Sequence, residues 1–165
     1  MGLDNIQLSP SLLLQLYNKT LVDLTGLQQK SPVTQQYNIS FLGKNEKKIL
    51  VLVNETDTTF LPVTDLNLLI NILSACKITM ADIALINFDK NREINYDILM
   101  NYFEPASVLL FGINPADLQF PMHFPHYQLQ HYNNQTYICA PALPILATDK
   151  EKKKQLWNSL QKHFF

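Results

Sequence analysis

The sequence predicts a three-layer α/β/α protein, in which helices cover both faces of a mainly parallel central sheet of about four to five strands. Two observations carry this prediction. Continuous apolar runs at Ile49–Val53 and 108–111 are typical of strands buried on both faces. Helical patterns lie between the predicted strands, and helical crossovers join strands that run parallel.

The first thirty residues contain a predicted helix that is set apart from the rest of the chain. Ser9 and Pro10 are typical of a helix start, and Gly26 is typical of a helix end. A loop with Ser-Pro follows. We therefore predict an N-terminal helix and linker at residues 1–30 and a single α/β domain at residues 31–165.

The first half of the predicted domain alternates strands with a helix. Apolar and polar residues alternate over 37–42, which indicates a half-exposed strand. The run Ile49–Val53 predicts a central strand. An amphipathic helix follows over 64–76, and the next strand is predicted over 83–88.

The second half continues the same order. Residues 95–103 predict a helix, residues 108–111 a strand, and residues 127–129 and 136–140 a hairpin. The last helix is predicted to start with a capping box at Thr148-Asp149-Lys150-Glu151. Its apolar stripe is Leu156, Trp157, Leu160 and Phe164.

Composition restricts the function classes. Hydrophobic residues make up 47% of the chain, but charged residues only 16%, a pattern that suits contact with another protein or reflects a biased genome composition. A formal net charge of -1 predicts no strong direct binding to nucleic acid. The basic cluster Lys150, Lys152, Lys153 and Lys154 is expected to be a solvated helix face.

The N-terminus lacks a signal peptide pattern and no apolar run is long enough to span a bilayer, so we expect a cytoplasmic protein away from the membrane. The two cysteines, Cys76 and Cys139, are then expected to be buried free thiols, although the sequence leaves a disulfide open.

Cofactor-binding patterns are missing from the sequence. The four glycines are scattered, which excludes a phosphate-binding loop or a dinucleotide fingerprint. His123, His126 and His131 lie close together, but no carboxylate or cysteine is interleaved with them. We predict no cofactor and no metal site, with the histidines in a polar loop.

The most informative segment is the apolar strand that ends abruptly in Gly112-Ile113-Asn114-Pro115. Ligands in open parallel sheets bind beyond the carboxyl ends of the strands, so this is the first place to look for a site. Asn114 and Asp117 are the only catalytic candidates there, since a carboxylate can activate water. The same residues are ordinary in turns, which is the interpretation we favour.

This segment resembles the first motif of mismatch-specific uracil-DNA glycosylases, in which a strand ends in Gly-Ile-Asn-Pro. In that family the motif follows the first core strand, whereas here it follows the third. The second family motif is a His-Pro-Ser-like turn, and its nearest counterpart here is Ala140-Pro141-Ala142, in which the histidine is absent. A flipped base also needs an aromatic platform, for which the sequence offers Phe120 and Tyr127.

The chain is also similar to the psi subunit family of the bacterial DNA polymerase III clamp loader. The similarity lies in the strand Ile49–Val53, the segment Leu61-Pro62-Val63-Thr64-Asp65, the turn Pro141-Ala142-Leu143 and the final Leu156-Trp157. Psi-like proteins have a glycosylase-like fold without the catalytic groups. The N-terminal segment departs from the family because it lacks Trp and Arg residues.

The resemblance implies a DNA replication role as a scaffold and not an enzyme. The expected partners are clamp-loader subunits and a chi-like subunit. By position, docking would fall on Leu12, Leu13, Leu16 and Tyr17, which otherwise simply cover the sheet. The alternative is a base-excision enzyme that uses the Gly112-Ile113-Asn114-Pro115 turn.

Overall fold

A computed structural model describes residues 38–120 and 123–165. Residues Ile39–Phe165 form one compact unit around a six-stranded mixed sheet, which confirms the predicted α/β class. The strands are β1 (Leu42–Gly43), β2 (Ile49–Val53), β3 (Ile83–Asn87), β4 (Ser107–Phe111), β5 (Leu129–Tyr132) and β6 (Gln135–Ala140). The helices are α1 (Val63–Ala75), α2 (Tyr96–Phe103), α3 (Leu143–Thr148) and α4 (Lys150–Phe164).

The strand order is β1-β3-β2-β4-β6-β5. Strands β3, β2, β4 and β6 run parallel. The outermost strands, β1 and β5, each pair antiparallel with their neighbour. Ile49 of β2 therefore lies opposite both Ile83 and Ser107. All four parallel strands end at the same side of the sheet, which we call the carboxyl edge; the opposite side is the amino edge.

Alternate side chains of each parallel strand enter two separate cores. Leu50 and Leu52 of β2 pack on the side of α2, whereas Val51 packs on the side of α1, α3 and α4. Burial of such apolar surface is the main stabilising contribution, at about 25 cal/mol per Å². The helices contribute buried side chains to these cores: Leu69, Leu73, Leu99, Phe103, Leu143, Leu146, Leu156 and Leu160. The three layers predicted from the sequence are thus present.

The first predicted strand is wrong in extent. Only Leu42 and Gly43 pair with β3, and residues 38–41 are not in a strand. Gly43 has φ of +110°, and a Cβ placed on it would lie 2.2 Å from the carbonyl oxygen of Ile83. The chain turns at this glycine, which limits β1 to two residues. With β1 and β5 included, the sheet has six strands instead of the four to five predicted.

The predicted capping box is also wrong. Thr148 ends α3, a short helix that the sequence pattern did not predict, and its hydroxyl donates to the carbonyl of Ile145 at 3.1 Å. Asp149 instead caps α4, because its Oδ1 accepts hydrogen bonds from the amides of Glu151 and Lys152 at 3.0 and 3.1 Å. These two bonds lower the pKa of Asp149, together with the Lys152 ammonium.

The first hairpin strand, predicted over 127–129, instead spans Leu129–Tyr132, and the predicted N-terminal helix lies outside the described residues. Several other predicted features are confirmed. Asn95 caps α2 by accepting from the amide of Ile98, as its position before the helix indicates. Asn133 and Asn134 join β5 to β6 with positive φ at both residues, the backbone that a tight hairpin turn needs. Cys76 and Cys139 are buried free thiols on opposite faces of the sheet. In the described ranges, no helix combines the length and apolar character needed to cross a membrane.

Candidate functional site

The topology places its natural binding crevice at the carboxyl edge. The chain passes from β2 to β3 on one side and then to β4 on the other side of β2. Such a reversal leaves a crevice between the ends of the central strands. Here Asn54 follows β2, and residues 112–115 follow β4. We call these four residues the 112–115 loop.

On one side of the 112–115 loop lies a cleft of about 380 Å³, which we call the switch-point cleft. It is lined by Asn54, Phe88, Arg92, Ile113 and Asp117. Nε of Arg92 donates to Oδ1 of Asp89 at 3.1 Å. The hydrogen bond from Arg92 lowers the pKa of Asp89. The guanidinium at the rim is therefore held by a neighbouring carboxylate.

Asn87 fixes the walls of the switch-point cleft. This residue ends β3 and is 1% exposed. Its Oδ1 accepts from the amides of Glu55 and Asp89 at 3.0 and 3.2 Å. Its Nδ2 donates to the carbonyls of Glu55, Thr58 and Thr59. One amide side chain thus joins the loops after β2 and β3, a role signalled only by an asparagine at the end of an apolar strand.

The two motifs singled out from the sequence meet in the structure. Gly112 has φ of +66°, and a Cβ there would lie 2.8 Å from the Cβ of Ala142. Its amide also donates to the carbonyl of Ala140 at 2.9 Å. The 112–115 loop therefore rests directly on the turn Pro141-Ala142-Leu143, and only glycine fits at the contact.

On the other side of the loop lies a second cleft of about 460 Å³, which we call the histidine-rimmed cleft. Its lining includes Asn114, His123, Phe124, His126 and Ile145. Phe124 is buried, whereas Ile145 is 46% exposed. The cleft is a shallow, mixed surface between the ends of β4 and β6.

The two catalytic candidates do not meet in one cleft. Asn114 lines the histidine-rimmed cleft, and Asp117 lines the switch-point cleft. Both side chains are exposed. Oδ1 of Asn114 accepts from the amide of Ala116 at 3.1 Å and caps the 3-10 turn Pro115–Leu118. This is the turn chemistry that the sequence favoured.

The histidines separate in the same way. His123 and His126 rim the cleft, but His131 lies on β5 with Nδ1 3.1 Å from the hydroxyl of Thr136. Across residues 38–120 and 123–165, no three His, Cys, Asp or Glu side chains form a group that could hold a metal ion.

The two aromatic side chains considered as platforms for a flipped base pack outside both clefts. Phe120 is 7% exposed and packs edge-on against Phe124 and Tyr137. Tyr127 is half-buried beneath α4, where its carbonyl accepts from the hydroxyl of Ser159. Neither ring lines the two clefts at the carboxyl edge.

Two buried carboxylates were missed by sequence reasoning, and both lie away from the clefts. Asp82 accepts from the amide of Thr79 at 2.7 Å and pairs with Nζ of Lys47 at 3.1 Å, and these contacts lower its pKa. Asp65 lies in the first turn of α1, where burial and then the charge of Glu55 raise its pKa. The sequence around Asp65 and Asp82 did not indicate that these two side chains are buried.

Two further predictions concern the N-terminal docking residues and the basic cluster. Leu12, Leu13, Leu16 and Tyr17 lie outside the described residues. The lysines at 150 and 152–154 are exposed or half-exposed at the start of α4, where Lys152 pairs with Asp149 at 3.2 Å. The location is that of a solvated helix face.

Comparison with known proteins gave no match to a protein-family model and none to a curated protein sequence. The assignment of a function therefore depends on the fold and on the contacts within this chain.

Proposed function

We propose that this chain is a non-catalytic, psi-like accessory subunit of a bacterial DNA polymerase III clamp loader, with a glycosylase-like α/β fold that serves as a protein scaffold. The observation that carries the proposal is the contact between Gly112 and Ala142. It brings the two resemblance motifs together through close backbone packing, as expected of loops that shape a surface.

The polar groups of the 112–115 loop support the same proposal. Oδ1 of Asn114 accepts from the amide of Ala116, and the amide of Gly112 donates to the carbonyl of Ala140, so both take part in the local backbone turn. A group that activates water needs a free lone pair aimed at its substrate. Asp117 lies at the exposed rim of the other cleft, apart from Asn114.

The C-terminal part of the resemblance is built into the core. Leu143 begins α3 and is 2% exposed, and Leu156 of α4 is also 2% exposed. Trp157 packs against the same core from a half-exposed position. The Pro-Ala-Leu turn and the Leu-Trp pair therefore hold the last two helices on the sheet, which is a structural use of both motifs.

The proposal is tested by mixing the purified full chain with purified clamp-loader subunits and a chi-like subunit of the same organism, followed by gel filtration. We expect a stable complex. The double substitution Leu13→Asp and Leu16→Asp is expected to abolish it, whereas the matched control Gln15→Asp in the same predicted helix leaves it intact. Failure of every clamp-loader subunit to co-elute with the unmodified chain contradicts the proposal.

The runner-up function is base excision, which is favoured by one observation. Asn114 and two histidine side chains line a cleft of about 460 Å³ at the carboxyl edge. Release of uracil from a mismatched duplex, lost in Asn114→Ala and kept in Asp117→Asn, would support excision and contradict the scaffold. Failure to release uracil together with complex formation would support the scaffold.

A further inference from the structure

A third cleft, of about 510 Å³, lies at the amino edge, on the opposite side of the sheet from the clefts described above. We call it the amino-edge cleft. Apolar side chains form much of its lining, among them Ile49, Ile78 and Phe164. The polar side chains that reach it are Lys47, Lys77, Ser107 and His163. Its volume lies within the usual range for small-molecule sites.

A hydrogen-bonded pair forms the polar part of this cleft. Ser107 begins β4 and is 6% exposed, and its Oγ lies 2.6 Å from Nε2 of His163 in the last turn of α4. Burial lowers the pKa of His163, which favours the neutral form of the ring. A neutral imidazole and a hydroxyl together keep hydrogen-bonding capacity beyond the bond they share.

The two lysines of the cleft differ in their partners. Nζ of Lys47 pairs with Asp82 at 3.1 Å. Nζ of Lys77 instead lies 5.3 Å from the ring centroid of Phe165, and among the described residues no carboxylate is within ion-pair distance of it. Within the described part of the chain, the Lys77 ammonium of this cleft therefore has no acidic side chain as its ion-pair partner.

We propose that the amino-edge cleft binds a small organic carboxylate with an apolar body. The carboxylate pairs with the Lys77 ammonium and accepts a hydrogen bond from the Ser107–His163 pair. The apolar body lies against Ile49, Ile78 and Phe164. A single unmatched cation favours a monoanion over a multiply charged phosphate, and the apolar walls favour a hydrocarbon body over a sugar.

The geometry provides an optical readout. Trp157 is the only tryptophan of the chain, and its ring centroid lies 6.4 Å from that of Phe165, which lines the cleft. A ligand that moves Phe165 therefore changes the environment of Trp157. Octanoate is a suitable probe, since it has one carboxylate and a short apolar chain and does not absorb where tryptophan emits.

The test is a titration of the full chain with octanoate and with 1-octanol, followed by Trp157 emission and by calorimetry. We expect saturable binding of octanoate, at least about tenfold tighter than that of the uncharged alcohol, because an ionic hydrogen bond contributes about that factor. Lys77→Gln is expected to weaken octanoate binding about tenfold and to leave octanol binding unchanged. Lys154→Gln, an exposed lysine at the other end of α4, is the matched control.

Three results overturn the proposal: no saturable heat or emission change with octanoate, equal affinities for octanoate and octanol, or unchanged octanoate binding by Lys77→Gln. Lys77 is exposed, so the glutamine variant is expected to keep the native circular dichroism spectrum. The outcome is distinguishable from that of the clamp-loader test, because here the probe is a small molecule and the variant is at Lys77, whereas that test uses protein partners and variants at Leu13 and Leu16.

Discussion

Replacement of Gly112 with alanine is expected to lower the free energy of unfolding by about 2 to 5 kcal/mol. Two effects add at this position. The φ of +66° is left-handed, which costs a residue with a Cβ about 1 to 2 kcal/mol. The new methyl group would also lie 2.8 Å from the Cβ of Ala142 and 3.0 Å from its Cα, and overpacking of this kind costs about 1 to 3 kcal/mol.

The two effects are separable with a second substitution. Ala142→Gly removes the 2.8 Å contact but leaves the 3.0 Å contact with the Cα and the strained φ. In the double variant we therefore expect recovery of about 1 kcal/mol relative to the sum of the single changes. Urea unfolding followed by Trp157 emission measures each free energy of unfolding.

A loss below about 0.5 kcal/mol in Gly112→Ala would refute the close packing of the two loops. Additive effects in the double variant would refute the specific contact with Ala142, since residues that do not touch show free energies that add.

Three further predictions concern the core and the helix ends. Asp149→Ala should cost about 1 kcal/mol by urea unfolding, whereas Thr148→Ala should cost far less, because Asp149 is the cap of α4. The pKa of His163 is lowered in the folded chain, so the unfolded chain binds this proton more tightly. The free energy of unfolding should therefore fall as the pH drops below about 6.5, and His163→Gln should reduce this dependence on pH. Burial raises the pKa of Cys139 to about 11, so a thiol reagent at about pH 8 should label it only after denaturation; rapid native labelling would contradict its burial.

The sequence predicted the layers of the fold because its strongest signals are local. Ile49–Val53 and residues 108–111 are apolar without interruption, and both runs are buried at every position. The hairpin at Asn133-Asn134 and the cap at Asn95 follow from the preferences of asparagine in turns and caps.

The wrong predictions at α3 and at the start of α4 also have specific causes. Helix α3 has six residues, fewer than two turns, so it shows no helical period. Because α3 extends to Thr148, α4 begins one residue later than predicted. Thr148, the predicted cap of α4, is therefore the last residue of α3.

The sites depended on contacts that no local pattern encodes. The bond between Ser107 and His163 joins residues 56 positions apart. The contact of Gly112 with Ala142 and the hydrogen bonds of Asn87 likewise join separate loops. The sequence predicted that Asn114 serves a turn, because that contact spans only two residues.

The position of β2 in the sheet has a consequence for synthesis on the ribosome. Its neighbours β3 and β4 pair with it at Ile83 and Ser107, more than thirty and more than fifty positions after Ile49. At about 5 to 20 residues per second, the apolar strand emerges roughly 3 to 12 s before both partners exist. During that interval the nascent chain carries an unpaired hydrophobic strand, so its yield in the cell should depend on translation speed and on chaperones that shield it.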